Sequence, residues 1–148
     1  MSEFLETMVD KFIFKVATDR LYSTEGIWLK LEGNRIRIGV SDFFQQHNGD
    51  VAFAEIKAVG KEVTAGSEVA TIETMKVNVE LPSPISGKVV EVNPVLTTAP
   101  EAINQDPYGT GWLAVIEASE WSAEKTHLLE PQEYFKKMKA DAEREVKS

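Results

Sequence analysis

One lysine, Lys76, is the residue of this chain best placed for chemistry. Apolar and polar residues alternate on both sides of it through residues 69–81. Two alternating runs that meet at a short polar junction predict a β-hairpin, with Lys76 at or next to its tip and its amine in water. The junction contains neither Gly nor Pro, the usual residues of a tight turn. Such a turn is either one that an enzyme recognises or the tip of an ordinary hairpin with a solvated lysine.

The sequence on either side of this turn predicts short strands separated by glycine or proline, and these strands would hold the turn in place. Their spacing predicts a mainly β fold, either a sandwich or a flattened barrel. Ser41 or Asp42 is expected to cap a short helix that ends near His47, before the stop signal Asn48-Gly49. Residues 94–108 predict a helical loop. The predicted strands span residues 27–31, 35–40, 51–56, 61–63, 68–73, 77–81, 87–92 and 112–116.

The two ends of the chain differ from this β region. Residues 1–20 form an N-terminal lead-in, in which the apolar run 12–14 fits either a helix or a strand. Residues 121–148 form a C-terminal helical segment, with Pro131 in the first turn of its helix, which packs on the central domain, residues 21–120. One apolar stripe is expected to make that contact: Tyr134, Phe135, Met138, Ala142 and Val146. Two i,i+4 ion pairs are expected to support the helix: Glu133 with Lys137, and Glu143 with Lys147.

Composition excludes several classes of function. A net charge of −8 disfavours binding to nucleic acid, and no apolar run is long enough to span a bilayer. Cysteine is absent, which excludes disulfides, thiolate metal sites and cysteine nucleophiles. His47 and His127 have no second histidine at metal-ligand spacing, so we expect neither a metal site nor catalytic residues. Trp28, Tyr108 and Trp112 are expected to be core or cleft-wall aromatics. The acidic start is unlike a secretory signal, and a cytoplasmic location is expected.

The residues around the lysine resemble the swinging-arm domains that carry lipoyl or biotin. Glu-Thr-Met-Lys at 73–76 is followed by Pro84 and by Ile-Ser-Gly-Lys-Val-Val at 85–90. Landmarks at 35–42, 49–51, 59–63 and 106–113 make the chain similar, more narrowly, to the H protein of the glycine cleavage system. The resemblance runs from about residue 21 to about residue 117. It implies a lipoyl/biotinyl-type flattened barrel, a sandwich hybrid motif, with lipoate on Lys76 as N6-lipoyl-lysine.

The resemblance also implies a carrier that catalyses nothing unaided. In the family, the arm takes aminomethyl from a pyridoxal-phosphate glycine decarboxylase to an aminomethyltransferase, and dihydrolipoyl dehydrogenase reoxidises it. A lipoate ligase or lipoyl transferase attaches the arm. Glu73 is expected to help that enzyme recognise the turn, and Glu80 to approach a cationic arm, unless each is simply a solvated acid. The residues expected to bind the cofactor are Lys76, Glu73, Thr74, Met75, Val77 and Glu80.

Two departures from the family pattern leave the carried group open. Members usually read Asp-His-Glu-Trp where this chain reads Glu25-Gly26-Ile27-Trp28. In the family that glutamate lies near the docked aminomethyl arm, and Ile27 cannot replace its carboxylate. The chain is also similar to the lipoate-binding proteins of sulfur oxidation, which serve a heterodisulfide-reductase-like complex and whose arm would carry sulfur. A biotin carrier and an unmodified interaction domain are the two remaining hypotheses.

Overall fold

A computed structural model describes residues 3–147 of the chain, with the side chains of residues 3–146. In this range the fold is mainly β, with short helices and one long C-terminal helix, so the predicted fold class is confirmed. The predicted pair of Glu143 with Lys147 and the first two residues of the lead-in lie outside this description.

The strands and helices follow the chain in this order: β1 Phe4–Val9, β2 Phe12–Ala17, β3 Leu21–Tyr22, β4 Ile27–Glu32, β5 Arg35–Val40, α1 Asp42–Asn48, β6 Val51–Ile56, β7 Glu62–Val63, β8 Glu68–Thr74, β9 Asn78–Pro82, β10 Gly87–Val92, α2 Val95–Thr98, α3 Ala102–Gln105, β11 Ala114–Ala118, α4 Trp121–Glu124, a 3-10 turn Lys125–His127, and α5 Pro131–Lys147.

A six-stranded sheet in the order β3-β4-β5-β11-β10-β7 forms one side of the core. The alternation predicted in β5 is confirmed: Ile36 and Ile38 are buried, whereas Arg35 is exposed and Arg37 half-buried. The predicted closing strand is displaced by two residues, to Ala114–Ala118. The reason is that the backbone N–H of Trp112 bonds the Gly109 carbonyl in the preceding turn, and pairing with β5 begins at Ala114 opposite Ile38.

A three-stranded sheet in the order β6-β8-β9 forms the other side. Its inward side chains, including Ile72 and Leu81, share one buried cluster with Ile36 and Ile38. Each fully buried aliphatic side chain of this kind stabilises the fold by about 1.5–3 kcal/mol. The hairpin that carries Lys76 is therefore anchored through its inward face, and only its outer face and tip meet solvent.

The lead-in is a β-hairpin, and not a helix. Strands β1 and β2 pair in antiparallel register around a two-residue turn in which Asp10 takes φ +58°. This hairpin and α5 close over a second core cluster that contains Phe14, Tyr22, Trp28 and Tyr134.

Helix α5 packs along β1, β2 and β3 through most of its predicted stripe. Tyr134, Met138 and Ala142 are buried, but the prediction is wrong for Val146, which is 52% exposed where the helix runs past the domain. The Glu133–Lys137 pair is also wrong, because Lys137 Nζ pairs with Asp141 at 2.8 Å. The Glu133 carboxylate instead accepts a hydrogen bond from the backbone N–H of Glu130, at the start of the helix.

Within residues 3–147, none of the helices has the length and apolar composition that a transmembrane helix requires. The division into a lead-in, a domain over residues 21–120 and a tail over residues 121–148 stays a prediction.

Candidate functional site

The tip of the β8–β9 hairpin is fixed by a threonine hydroxyl. Thr74 Oγ1 accepts hydrogen bonds from the backbone N–H groups of Lys76 and Val77, at 3.2 and 3.0 Å, and donates to the Val77 carbonyl at 3.2 Å. The N–H of Met75 donates to the carbonyl of Asp50 at 3.0 Å, which ties the tip to the start of β6. A side chain that bonds its own turn replaces the Gly or Pro that this junction lacks.

Lys76 lies in water at this tip, beside the end of α1. The side chain is exposed, and its Nζ donates a hydrogen bond to the backbone carbonyl of His47 at 3.2 Å. Gly49 ends α1 with φ +90°, and a Cβ built there would lie 3.0 Å from Lys76 Cε. The carbonyls at a helix C-terminus favour a cation. The amine is therefore held against the protein surface and stays accessible.

The other predicted site residues surround the lysine on the same hairpin. Met75 is 78% exposed and Val77 is 45% exposed. Glu73 and Glu80 lie on β8 and β9, and both are exposed. Thr74 is half-buried because its hydroxyl turns into the loop. The structure brings all of these residues to one tip, while their roles toward a cofactor stay predictions.

A cleft of about 160 Å³ opens beside the same helix end, between α1 and α5. Gly26, His47 and Tyr134 belong to its lining, together with three charged residues, Glu25, Lys137 and Asp141. Glu25 is exposed and accepts a hydrogen bond from the Thr24 hydroxyl at 2.6 Å. Lys137 pairs with Asp141 at 2.8 Å, so Glu25 is the acid of this lining that has no ion pair within 4 Å among the described residues.

The two departures at the start of β4 have a structural reason. Ile27 is fully buried in the core cluster, so its side chain is absent from the cleft lining. Gly26 has φ +88°, and a Cβ there would lie 3.3 Å from the Tyr134 hydroxyl. That hydroxyl forms a hydrogen bond of 2.7 Å with Ser41 Oγ, and the Tyr134 ring stacks on Tyr22 at 4.4 Å. A glycine therefore suits position 26, because its φ is positive and a Cβ there would be in tight contact with the Tyr134 hydroxyl.

Of the predicted aromatics, Trp28 lies in the second core cluster, and Tyr108 and Trp112 pack against that cluster partly buried. Trp28 is 1% exposed, and its indole N–H donates to the Pro107 carbonyl at 2.9 Å. The buried Arg20 guanidinium stacks on Trp28 at 4.6 Å and on Tyr108 at 5.3 Å. Burial raises the pKa of Tyr108 to about 12. Trp112, which is half-buried, stacks against Arg37 at 4.2 Å.

The two histidines lie apart. His47 is in the last turn of α1, as expected, where its ring stacks on Phe43 at 5.6 Å and contacts the carboxylate of Glu145 from α5. His127 is exposed in the 3-10 turn.

Sequence reasoning missed the support that α1 gives to the lysine. The His47 carbonyl has no sequence signal, because every residue carries one. The sequence indicates Gly49 only as a helix stop, although its missing side chain also makes room for the Lys76 stem. The Thr74 hydroxyl could have been found from the absence of Gly and Pro, which demands another bond within the turn.

A flattened β fold that presents one exposed lysine on a fixed hairpin tip has the form of a lipoyl or biotinyl carrier domain. The family model described as glycine cleavage H-protein matches residues 20–141. A glycine cleavage system H protein of Carboxydothermus hydrogenoformans is 41% identical over 86% of this chain and 98% of its own length. One from Coprothermobacter proteolyticus is 46% identical over 81% and 94%. The crystal structure of such a protein from Mycobacterium marinum superposes with a TM-score of 0.69 at 31% identity, covering 79% of this chain and 94% of that one.

The chain therefore belongs to the glycine cleavage H-protein family. It is a lipoyl carrier protein, with lipoate attached covalently to a lysine, and it is not an enzyme. The resemblance seen in the sequence is confirmed.

Proposed function

We propose that Lys76 carries the lipoyl group and that this chain presents it to the enzymes of glycine cleavage. The observation that supports this most is the exposed Lys76 amine on a turn whose backbone is fixed by Thr74. The residues present fit the group, because the amine is in solvent, the tip is anchored to Asp50, and a partly apolar cleft lies beside the helix end.

For the attachment of lipoate, the protein only has to expose the Lys76 amine to the acylating enzyme. Lys76 Nζ has to lose a proton to become a nucleophile, and then forms an amide bond with the acyl carbon of an activated lipoate, such as lipoyl-adenylate. The bond from that carbon to the phosphate oxygen breaks, AMP leaves with the electron pair, and the nitrogen gives up a second proton. The amine loses its charge in this step. Its attraction to the C-terminal carbonyl of α1 weakens accordingly, so the His47 carbonyl would hold the unmodified lysine more firmly than the modified one.

When bound, the lipoyl group supplies a strained ring disulfide that opens to nucleophiles and reductants. This chain supplies the rigid attachment point of the arm. Thr74 and Asp50 fix the origin of the arm, and the buried face of the hairpin keeps that origin in place.

We propose as partners the glycine decarboxylase, the aminomethyltransferase and dihydrolipoyl dehydrogenase, with a lipoate ligase or lipoyl transferase for attachment. Of the two cargoes that the resemblance offers, we propose aminomethyl. Ile27 lies in the core and supplies no carboxylate, but the acidic Glu25, two residues earlier, belongs to the lining of the cleft. Sulfur transfer to a heterodisulfide-reductase-like complex is the competing possibility, because the position of the family glutamate is held here by the buried, uncharged Ile27. A cytoplasmic location stays a prediction.

The attachment site is tested by intact mass and peptide mapping after co-expression with a lipoate–protein ligase and lipoate. The wild-type protein should gain one lipoyl group on the peptide that contains Lys76, and Lys76→Arg should gain none. Lys88→Arg is the matched control, because Lys88 is also an exposed lysine on a strand of the barrel. A biotin increment, or loss of lipoylation in Lys88→Arg instead, would contradict the proposal.

The cargo is tested with the lipoylated protein and glycine decarboxylase. Turnover of glycine with the wild-type protein, together with slower turnover by Glu25→Gln, would support aminomethyl. Absence of turnover, combined with loading of the reduced arm by a persulfide donor, would favour sulfur.

A further inference from the structure

The outer face of the three-stranded sheet carries a patch beside the lysine that the fold does not use. The register sets two rows across β6, β8 and β9. The row nearer the tip is Phe53, Glu73 and Asn78, and the next row is Glu55, Thr71 and Glu80. We call these six residues the tip-proximal face.

Phe53 is the apolar centre of this face and is 50% exposed. A β-bulge between Val51 and Phe53 places two consecutive exposed residues in β6, which turns the Phe53 ring outward while Val51 stays buried. Met75 and Val77 extend the apolar surface to the turn itself. Leaving an aromatic side chain in water forgoes stabilisation, and an exposed apolar patch with a polar rim is typical of an interaction site.

The rim of this face is negative. Glu55, Glu73 and Glu80 are exposed, and none of them forms an ion pair within 4 Å among the residues that the structure describes. In a chain of net charge −8, three carboxylates around one aromatic side chain match a protein surface with an apolar pocket and surrounding Arg or Lys side chains.

We propose that the tip-proximal face is the docking surface for the enzyme that acylates Lys76, with Phe53 inserted into an apolar pocket of that enzyme. This rests on the proposed attachment of lipoate at Lys76. The short reach of the unmodified lysine side chain favours the acylating enzyme over the enzymes that act on the lipoylated protein. The acylating enzyme has to bring its active site to the lysine amine, so its surface must approach within one side chain of the tip. Enzymes that act on the modified protein meet the far end of a longer arm and can stand off from the sheet.

The test compares Phe53→Ala with Leu31→Ala as substrates of a purified lipoate–protein ligase supplied with ATP and lipoate. Leu31 is the matched control because it is an apolar side chain, 57% exposed, on β4 of the other sheet. Phe53→Ala should lower kcat/KM for lipoylation about 30-fold, the effect of truncating an interface hot spot, whereas Leu31→Ala should stay within about twofold of wild type. Thermal unfolding checks that both variants are folded, and Phe53→Thr, which favours a strand, replaces Phe53→Ala if the alanine variant is not.

Two further measurements separate docking of the acylating enzyme from a general loss of function. Raising the salt concentration should reduce kcat/KM for wild type more than for a Glu55→Gln, Glu80→Gln double variant. Phe53→Ala that has been fully lipoylated by long incubation and then chemically reduced to the dithiol should be reoxidised by dihydrolipoyl dehydrogenase and NAD⁺ at the wild-type rate.

The results of these assays distinguish a failure of the docking inference from a failure of the proposed function. If wild-type protein is not acylated on Lys76, the proposed attachment site fails. If Lys76 is acylated equally fast in wild type and Phe53→Ala, only the docking inference is overturned. An equal loss in the ligase and the dehydrogenase assays would overturn the assignment to the acylating enzyme.

Discussion

The substitution Thr74→Val tests whether a single hydroxyl fixes the tip from which the arm would swing. Valine keeps the branched shape but removes the three hydrogen bonds that Thr74 Oγ1 makes with Lys76 and Val77. An intramolecular hydrogen bond contributes about 0.5–1.5 kcal/mol net. Water can replace these partners at an exposed tip, so we expect a total loss of about 1 kcal/mol. That amount changes the ratio of two tip conformations about fivefold.

Two assays measure this effect. Urea unfolding should show a free energy of unfolding lower by about 1 kcal/mol. Lipoylation by a ligase, at substrate concentrations below KM, should slow by up to about fivefold, because only the ordered tip is a substrate. Thr74→Ser is the matched control, since it keeps the hydroxyl, and it should stay within about twofold of wild type in lipoylation.

Equal stability and equal lipoylation of Thr74→Val and wild type would refute the reasoning. Equal losses in Thr74→Ser and Thr74→Val would also count against it, because the methyl group and not the hydroxyl would then be the cause.

Three further predictions concern the scaffold. Gly39→Ala should lower the free energy of unfolding by about 1–3 kcal/mol in urea titrations, because the new Cβ would lie 2.4 Å from the Trp28 ring; an unchanged midpoint would refute this contact. Gly26→Ala should cost about 1–2 kcal/mol in the same assay, because its φ is +88° and the Tyr134 hydroxyl lies 3.3 Å from the Cβ position; a stabilised variant would contradict the account. Burial raises the pKa of Tyr108 to about 12 and also raises the pKa of Tyr134, whereas the unfolded value is about 10. The folded state therefore keeps protons that the unfolded chain loses, so stability should hold below about pH 9 and fall between about pH 10 and pH 12; Tyr134→Phe should weaken that slope, and an equal slope would argue against this cause.

The hairpin and its lysine could be predicted because local patterning decides them. Alternation around Lys76 survives in the structure since Ile72 and Leu81 face a core and Glu73 and Glu80 face water. The helix start at Ser41 could also be predicted from neighbouring residues, because the Ser41 hydroxyl accepts a hydrogen bond from the Phe44 N–H at 3.2 Å.

Contacts between distant segments could not be predicted in this way. Nothing in the sequence near Gly26 indicates that Tyr134, more than a hundred residues later, would lie 3.3 Å from the Cβ position of residue 26. The sequence does not distinguish a helix from a strand in the lead-in, because the turn of its hairpin has Asp10 at φ +58° and contains no glycine. The helix stripe was right where α5 has a partner, and wrong at Val146, where periodicity continues beyond the surface that it packs on.

The most direct test of the account is the location of lipoate in the modified protein. Peptide mapping of protein lipoylated by its ligase should place one lipoyl group on the Nζ of Lys76, and Lys76→Arg should remain unmodified while it keeps the wild-type unfolding midpoint. A lipoyl group on any other lysine, or undiminished modification of Lys76→Arg, would contradict the account.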